Sequence, residues 1–222
     1  MDDRYTPLER RPIASREHRV SRADAKTLAG IGVEANWISI AGMLGGIAAG
    51  GAFALTPTAY GPQRLWWIAG ALLIQIRLLG NMFDGMVAIE RGTASARGEL
   101  YNEVPDRVSD SAIFIGLGYA ADSAAALGYL AACASLFAAY VRAVGKAAGA
   151  HQEFCGPFAK PQRMFLVTLA ALGWGLTPAS WHSFGDGVPG VPAAALATIV
   201  AGSTLTALRR LYRISAALEN RA

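Results

Sequence analysis

Six apolar runs decide what this chain can fold into. They lie at about 36–55, 65–88, 108–121, 124–144, 164–176 and 191–208. Several approach the ~20 residues that a helix needs to cross a hydrocarbon core. Inside lipid the backbone must satisfy its own polar groups, so runs of this length mean helices. The third and fifth runs are short, and they are expected to extend at their polar ends into a protein-lined cavity. Only 16% of the residues are charged, against about 25% in an ordinary soluble domain. A soluble bundle with buried helices is the competing reading, and runs this apolar argue against it. The expected fold is an all-α integral membrane protein with six transmembrane helices.

Basic residues set the expected orientation. Arg4, Arg10, Arg11, Arg16, Arg19, Arg22 and Lys26 precede the first run, and Arg91, Arg97 and Arg107 lie between the second and third. Arg142, Lys146, Lys160 and Arg163 flank the connection from the fourth to the fifth, and Arg209, Arg210, Arg213 and Arg221 follow the sixth. The opposite loops hold only Arg64. The positive-inside rule then places both termini in the cytoplasm, which requires an even number of spans. The net charge of +4 reads as topology and attraction to anionic lipid, not as nucleic-acid binding. The first 27 residues are polar and lack the apolar core of a cleavable signal peptide. Within them 21–31 can form a short helix lying at the interface, with Leu28 and Ile31 toward lipid. The chain thus divides into a cytoplasmic N-terminal segment (1–32), a membrane domain (33–213) and a cytoplasmic tail (214–222). Cys133 and Cys155 suggest neither a disulfide nor a metal pair.

Turn residues punctuate the runs. Thr56-Pro57 and Gly61-Pro62 close the first hairpin, and Ala121-Asp122-Ser123 makes a tight second one in which Asp122 or Ser123 can cap the next helix. A longer loop over 177–192 carries Gly185, Gly187, Pro189 and Gly190. Gly42, Gly45, Gly46, Gly50 and Gly51 permit close contact between helices.

The chemistry concentrates between the second and third runs, in NMFDGMVAIERGTASARGELYNEVPDRVSD over 81–110. Ionisable groups at a membrane edge are costly and mark function by default. Asn81 and Asp84 lie three apart, and Asn102, Asp106 and Asp110 lie four apart. On helices each set shares a face, and two such faces can hold a hard cation through oxygen ligands. Carboxylates this close repel unless a cation neutralises them. A divalent ion there would bind a pyrophosphate, and Arg97, Arg107, Arg142 and Arg163 supply charge for phosphates. Membrane-edge acids paired with these arginines for structure alone are the other reading. Arg77 lies one turn before Asn81 inside an apolar run, so it must snorkel or face the cavity; Asp84 and Asp110 are the partners its position suggests.

This stretch resembles the signature of the CDP-alcohol phosphotransferase family, D-x2-D-G-x2-A-R-x8-G-x3-D-x3-D. Without gaps, Asn81 takes the first acid position, Asp84, Gly85 and Ala88 match, and Ile89 stands in place of the arginine. Gly98 matches the second glycine, Asn102 takes the third acid position and Asp106 matches the last acid. GELYNEVPDRVSD also resembles members with a further acid four residues on, here Asp110. Val33-Glu34-Ala35-Asn36-Trp37-Ile38-Ser39 looks like the family's start of the first span, and Ala139-Tyr140-Val141-Arg142-Ala143 like the end of the fourth.

The resemblance implies a phospholipid-synthesising transferase, facing the cytoplasm in a bacterial inner membrane. It would move a phosphatidyl group from a CDP-linked donor such as CDP-diacylglycerol to an alcohol or polyol-phosphate acceptor, releasing CMP. It implies a divalent metal, Mg2+ or Mn2+, and a homodimer. Asp106 becomes the general base, and Asp84, Asn81, Asn102, Asp106 and Asp110 the metal set. Gly85, Ala88, Gly98 and Asn36 would line the nucleotide, and Arg142, Lys146 and Arg163 would hold an acceptor phosphate such as that of glycerol 3-phosphate or inositol phosphate. Those three cations also read as positive-inside residues on lipid headgroups.

Two expected acids are asparagines, whose carbonyls ligate hard cations without bringing charge. Three readings follow. The enzyme works with an altered metal site, in which Asp110, Glu99 or Glu103 supplies charge; it works with a single metal and a different donor; or the chain binds a lipid or nucleotide without turnover. Arg91, two residues beyond Ile89, is placed to reach phosphates instead. The retained Asp84-Gly85, Gly98 and Asp106 favour activity.

Overall fold

The computed structural model describes residues 19–58, 60–93, 95–178, 181–182 and 190–219. Every regular element of four residues or more among them is an α-helix. In chain order these are α1 (Arg19–Gly30), α2 (Ala35–Leu55), α3 (Gln63–Glu90), α4 (Ala96–Gly118), α5 (Ala125–Ala147), α6 (Lys160–Leu176) and α7 (Val191–Glu219). Each of the six apolar runs lies mainly in one helix of α2–α7, with the third continuing past the end of α4 and the fourth starting one residue before α5. Arg4, Arg10, Arg11, Arg16, Arg221, Gly185, Gly187 and Pro189 lie outside the described residues.

By length and composition α2, α3, α5 and α7 are apolar enough to cross a membrane. The other two are those whose apolar runs were short. α4 begins at Ala96 rather than near Val108, and its first turns carry Arg97, Glu99, Glu103, Asp106, Arg107 and Asp110. α6 begins at Lys160 and has 17 residues. Both helices therefore extend at their polar ends. Large apolar side chains stay outward, among them Leu72 and Ile76 on α3, Phe165 and Leu169 on α6, and Leu205 and Leu208 on α7. That is the pattern expected when hydrocarbon, not water, is the solvent.

The chain forms two compact units. The first holds residues up to Gly46 together with Gln75–Ser109, and the second holds Ile47–Ile74 and everything from Asp110. In the first unit α1 stops where Gly32 adopts a positive φ of 85° and the Val33 amide reaches back to the Leu28 carbonyl. The α1–α2 linker is then held by Arg91, which donates to the Gly32 and Val33 carbonyls at 2.9 and 2.7 Å. Gly92, with φ 63°, ends α3 in the same way. Helices approach closely through small residues: a Cβ built on Gly46 would overlap Ser109 of α4, and one on Gly80 would lie 3.5 Å from Gly42.

In the second unit α7 packs against both α5 and α6. Ala138, Val141, Ala207 and Ile214 form the core of the α5–α7 contact. Arg210 is buried there and donates to the Ala138 carbonyl at 2.7 Å and the Cys155 carbonyl at 3.0 Å. It thereby ties the α5–α6 loop to both helices. Gly50 and Gly116 let α2 and α4 touch backbone to backbone, since a Cβ on either would strike the other helix. The second hairpin departs from the expected capping. α5 has Ala124 as N-cap with no side-chain bond. Asp122 instead takes a left-handed φ of 58°, and its carboxylate accepts from Trp174 Nε1 at 3.1 Å. Both cysteines are free.

Candidate active site

Three helices of the first unit converge on one cleft. α2 contributes Ser39, α3 contributes Arg77, Asn81 and Asp84, and α4 contributes Asn102 and Asp106. The α3 residues fall at i, i+4 and i+7 and the α4 residues at i and i+4, so helical geometry puts each row on one face. The acids are buried, Asp84 at 3% exposure and Asp106 at 9%, and Arg77 is buried at 1%. Charges so placed need partners.

The partners are crossed between helices. Asn81 of α3 donates from Nδ2 to Asp106 Oδ1 of α4 at 2.6 Å. Asn102 of α4 donates from Nδ2 to Asp84 Oδ2 of α3 at 2.8 Å. Each asparagine therefore serves the aspartate of the other helix. Ser39 Oγ adds a bond to Asp84 Oδ2 at 2.7 Å, and the Gly85 amide donates to Asp84 Oδ1 at 2.5 Å.

Arg77 completes the cluster. Its Nη2 lies 3.0 Å from Asp106 Oδ1 and also donates to the Asp106 carbonyl at 3.3 Å. Its Nε donates to Ser109 Oγ at 2.9 Å, and Ser109 in turn donates to the Asp106 carbonyl. Asp106 is a partner that spacing alone had not singled out. Ser39 is the other addition to the sequence reading. It sits in an apolar helix far from 81–110, and its only signal is its place in the segment over 33–39.

The remaining candidates sit as follows. Asn36, Ala88, Gly85 and Gly98 are half-buried in the first unit. The Gly98 amide donates to Ser95 Oγ at 3.1 Å, and a Cβ there would meet that oxygen at 3.4 Å, so packing does not demand glycine. Arg107 lies 3.5 Å from Glu103 and 3.7 Å from Asp106 Oδ2. Arg91 is engaged with the carbonyls of Gly32 and Val33. Asp110, Arg142, Lys146 and Arg163 belong to the second unit. There Asp110 and Arg163 are both buried and lie 3.9 Å apart. Arg163 also donates to the Phe158 carbonyl at 2.9 Å. Arg142 stacks over the Phe154 ring at 5.5 Å, and Lys146 is half-buried.

As a donor set the cleft is all oxygen: two carboxylates, two amide carbonyls and a hydroxyl. That chemistry fits one hard divalent cation. Among the described residues no group of three or more His, Cys, Asp or Glu is arranged to hold an ion, so the amide oxygens are needed.

No family model matches the chain. Among curated proteins, the phosphatidylinositol phosphate synthase of Corynebacterium glutamicum is 32% identical over 173 residues, 75% of this chain and 71% of that protein. The chain belongs to the CDP-alcohol phosphotransferase family. As such it is an integral membrane transferase of phospholipid synthesis. Two solved structures agree on the fold of this phosphotransferase. The Mycobacterium tuberculosis phosphatidylinositol phosphate synthase with CDP-DAG bound has a TM-score of 0.68 at 23% identity, covering 89% of this chain and 94% of that one. The same synthase in complex with manganese and citrate has a TM-score of 0.67 at 24% identity, covering 88% of each chain.

Proposed function

We propose that the chain transfers a phosphatidyl group from CDP-diacylglycerol to the hydroxyl of a polyol phosphate, with inositol phosphate the first candidate. The observation that carries this reading is the crossed cluster, which gathers Asp84 and Asp106 on one cleft with Asn81 and Asn102 at the family's other two acid positions. The named relatives make phosphatidylinositol phosphate, and one neighbour holds CDP-DAG.

Asp106 takes the proton of the acceptor hydroxyl. The acceptor oxygen bonds to the phosphorus that carries diacylglycerol, the bond from that phosphorus to the anhydride oxygen breaks, and CMP leaves with the electron pair. A divalent cation held by Asp84, Asp106 and the amide oxygens of Asn81 and Asn102 would stabilise charge on the diphosphate and on CMP. Gly85, Ala88, Gly98 and Asn36 line the nucleotide. Arg142, Lys146 and Arg163 receive the acceptor phosphate, to which arginine offers a matched fork of donors. In this reading α2–α7 all cross a bacterial inner membrane, α1 lies at the interface, both termini and the cleft face the cytoplasm, and two chains pair.

The test is direct. Purified protein with Mn2+ or Mg2+, CDP-diacylglycerol and a panel of polyol phosphates should release CMP only when an acceptor is present, and chelation should stop it. A well-folded preparation that releases no CMP with any acceptor leaves a lipid- or nucleotide-binding relative as the reading.

A further inference from the structure

We infer that Arg91 is a positioning residue for the cytidine nucleotide: it clasps the turn before α2 to the end of α3, and so fixes the interval between these helices that holds Asn36 and Ala88. The nucleotide rests on the transferase reading; the clasp rests on contacts within the first unit. There α1 and α3 end alike. The Gly32 amide donates to the Ala29 carbonyl and the Val33 amide to the Leu28 carbonyl. The Gly92 amide donates to the Ile89 carbonyl and the Thr93 amide to the Ala88 carbonyl. Both glycines take a positive φ, 85° and 63°, a common close of a helix. α2 then opens on the Glu34 carbonyl, which accepts from Trp37 and Ile38. The Gly32 and Val33 carbonyls fall between the two helices, and Arg91 takes up both with Nη1. A cation near the last carbonyls of α3 is favourable wherever it points. The reach to the α1–α2 turn is what requires a long, forked side chain at this position. Arg91 is exposed, so holding that reach costs it side-chain freedom.

Arg91 also continues the row that builds the cleft. Arg77, Asn81, Asp84, Ala88 and Arg91 follow one another at steps of four, three, four and three, which is one face of a helix. The Arg91 amide still makes the helical bond to the Val87 carbonyl. α2 runs against this row in the opposite direction. Gly42 lies beside Gly80, Ser39 bonds to Asp84, and the Gly32 and Val33 carbonyls meet Arg91. Asn36 precedes Ser39 by three residues, and Ala88 follows Asp84 by four. Both therefore stand at the level between the Ser39–Asp84 bond and the clasp. The interval is pinned at one end by the cleft and at the other by Arg91. Ala88 is itself part of the turn that Arg91 closes, since its carbonyl accepts the Thr93 amide at 2.9 Å. In this arrangement Arg91 shapes the place of the nucleotide without having to touch it.

CDP binding to the full chain in detergent with Mn2+, followed by calorimetry, reads this without turnover. Arg91→Ala should raise the dissociation constant for CDP about tenfold through lost preorganisation. Gly32→Ala keeps the Arg91 side chain but puts a Cβ on a residue at φ 85°, with nothing else within 4 Å of it. It acts only through the turn and should weaken CDP binding comparably. The double variant R91A/G32A should exceed the worse single by no more than about twofold, because both act on one turn. Arg22→Ala removes an exposed charge from α1 and should bind CDP as the wild type does. With an acceptor present, R91A and G32A should raise KM for CDP-diacylglycerol and keep kcat within about twofold. A nitroxide on Ile31→Cys, in a C133S/C155S background, should gain mobility when Arg91→Ala is added. Should Arg91→Ala fail to fold, Gly32→Ala decides alone. No CDP binding by the wild type, unchanged CDP affinity or label mobility in R91A, or additive effects in the double variant overturns the inference. So does a loss in R91A with none in G32A, which would mean direct contact with the nucleotide. CDP binding without CMP release from any acceptor sinks only the transferase, and CMP release with wild-type CDP affinity in R91A sinks only the clasp.

Discussion

Asp106 is where three demands meet. Arg77 and Asn81 share its Oδ1, and Arg107 stands 3.7 Å from Oδ2. Fixed donors on one carboxylate oxygen orient the proposed base. Asp106→Asn keeps an oxygen for Arg77 but cannot take a proton. It should lower CMP release by about 10²-fold or more, while gel filtration in detergent still gives one monodisperse peak. Full activity in that variant would move the base elsewhere. The four residues at positions 81, 84, 102 and 106 were legible in the sequence because helical spacing alone aligns them. The crossing of their bonds was not, because which amide meets which carboxylate depends on how α3 lies beside α4. Ser39 was hidden for a related reason: a lone serine in an apolar run carries no periodic signal, and its bond to Asp84 spans two helices. Arg77 was legible as a charge that must be employed, and only tertiary packing names Asp106.

At the scale of elements, α4 is the instructive helix. Its apolar run starts near 108, yet it is helical from Ala96 and continues through Pro105. In the polar turns one face lines a cleft while Leu100, Val104 and Val108 stay exposed on another, so averaged hydropathy underestimates the helix where it matters most. Proline at 105 has no N–H to offer the Tyr101 carbonyl one turn back, and Asp106, beside it, has its own carbonyl engaged by Arg77. The contact of α2 with α4 is set by glycine, and it supports the site. A methyl on Gly46 would strike Ser109, the residue that orients Arg77. Gly46→Ala should therefore cost about 1–3 kcal/mol as an overpacked contact and lower the thermal midpoint in detergent. Gly51→Ala meets nothing within 4 Å and should be neutral or up to about 1 kcal/mol stabilising through helix propensity. Equal effects at the two positions would show that the contact is not tight. The Asp122 cap failed for a local reason: a left-handed residue directs its side chain toward Trp174 instead of the first turn of α5.

For the whole molecule, the proposed arrangement in the membrane rests on charge on one side and its scarcity on the other. In a C133S/C155S background, Gln63→Cys at the start of α3 should react with a membrane-impermeant maleimide in intact spheroplasts. Ser215→Cys near the end of α7 should react only after lysis. The reverse pattern would invert the topology and place the cleft outside. α3 also acts as a ruler. Counted from Gln63, Asp84 stands roughly 32 Å along the helix axis, against a hydrocarbon thickness of about 30 Å. In the proposed topology Trp66, half-buried near the other end, would sit at the opposite interface, the level at which tryptophans anchor, while Trp67 is buried against Phe53. In the proposed topology the length of this one helix would set the height of the cleft at the boundary between tails and headgroups. A lipid whose acyl chains stay in the leaflet presents its diphosphate at that height without being lifted out. On the proposed reading a water-soluble acceptor would arrive from the opposite direction, and the product would be released already embedded in the layer where it is used.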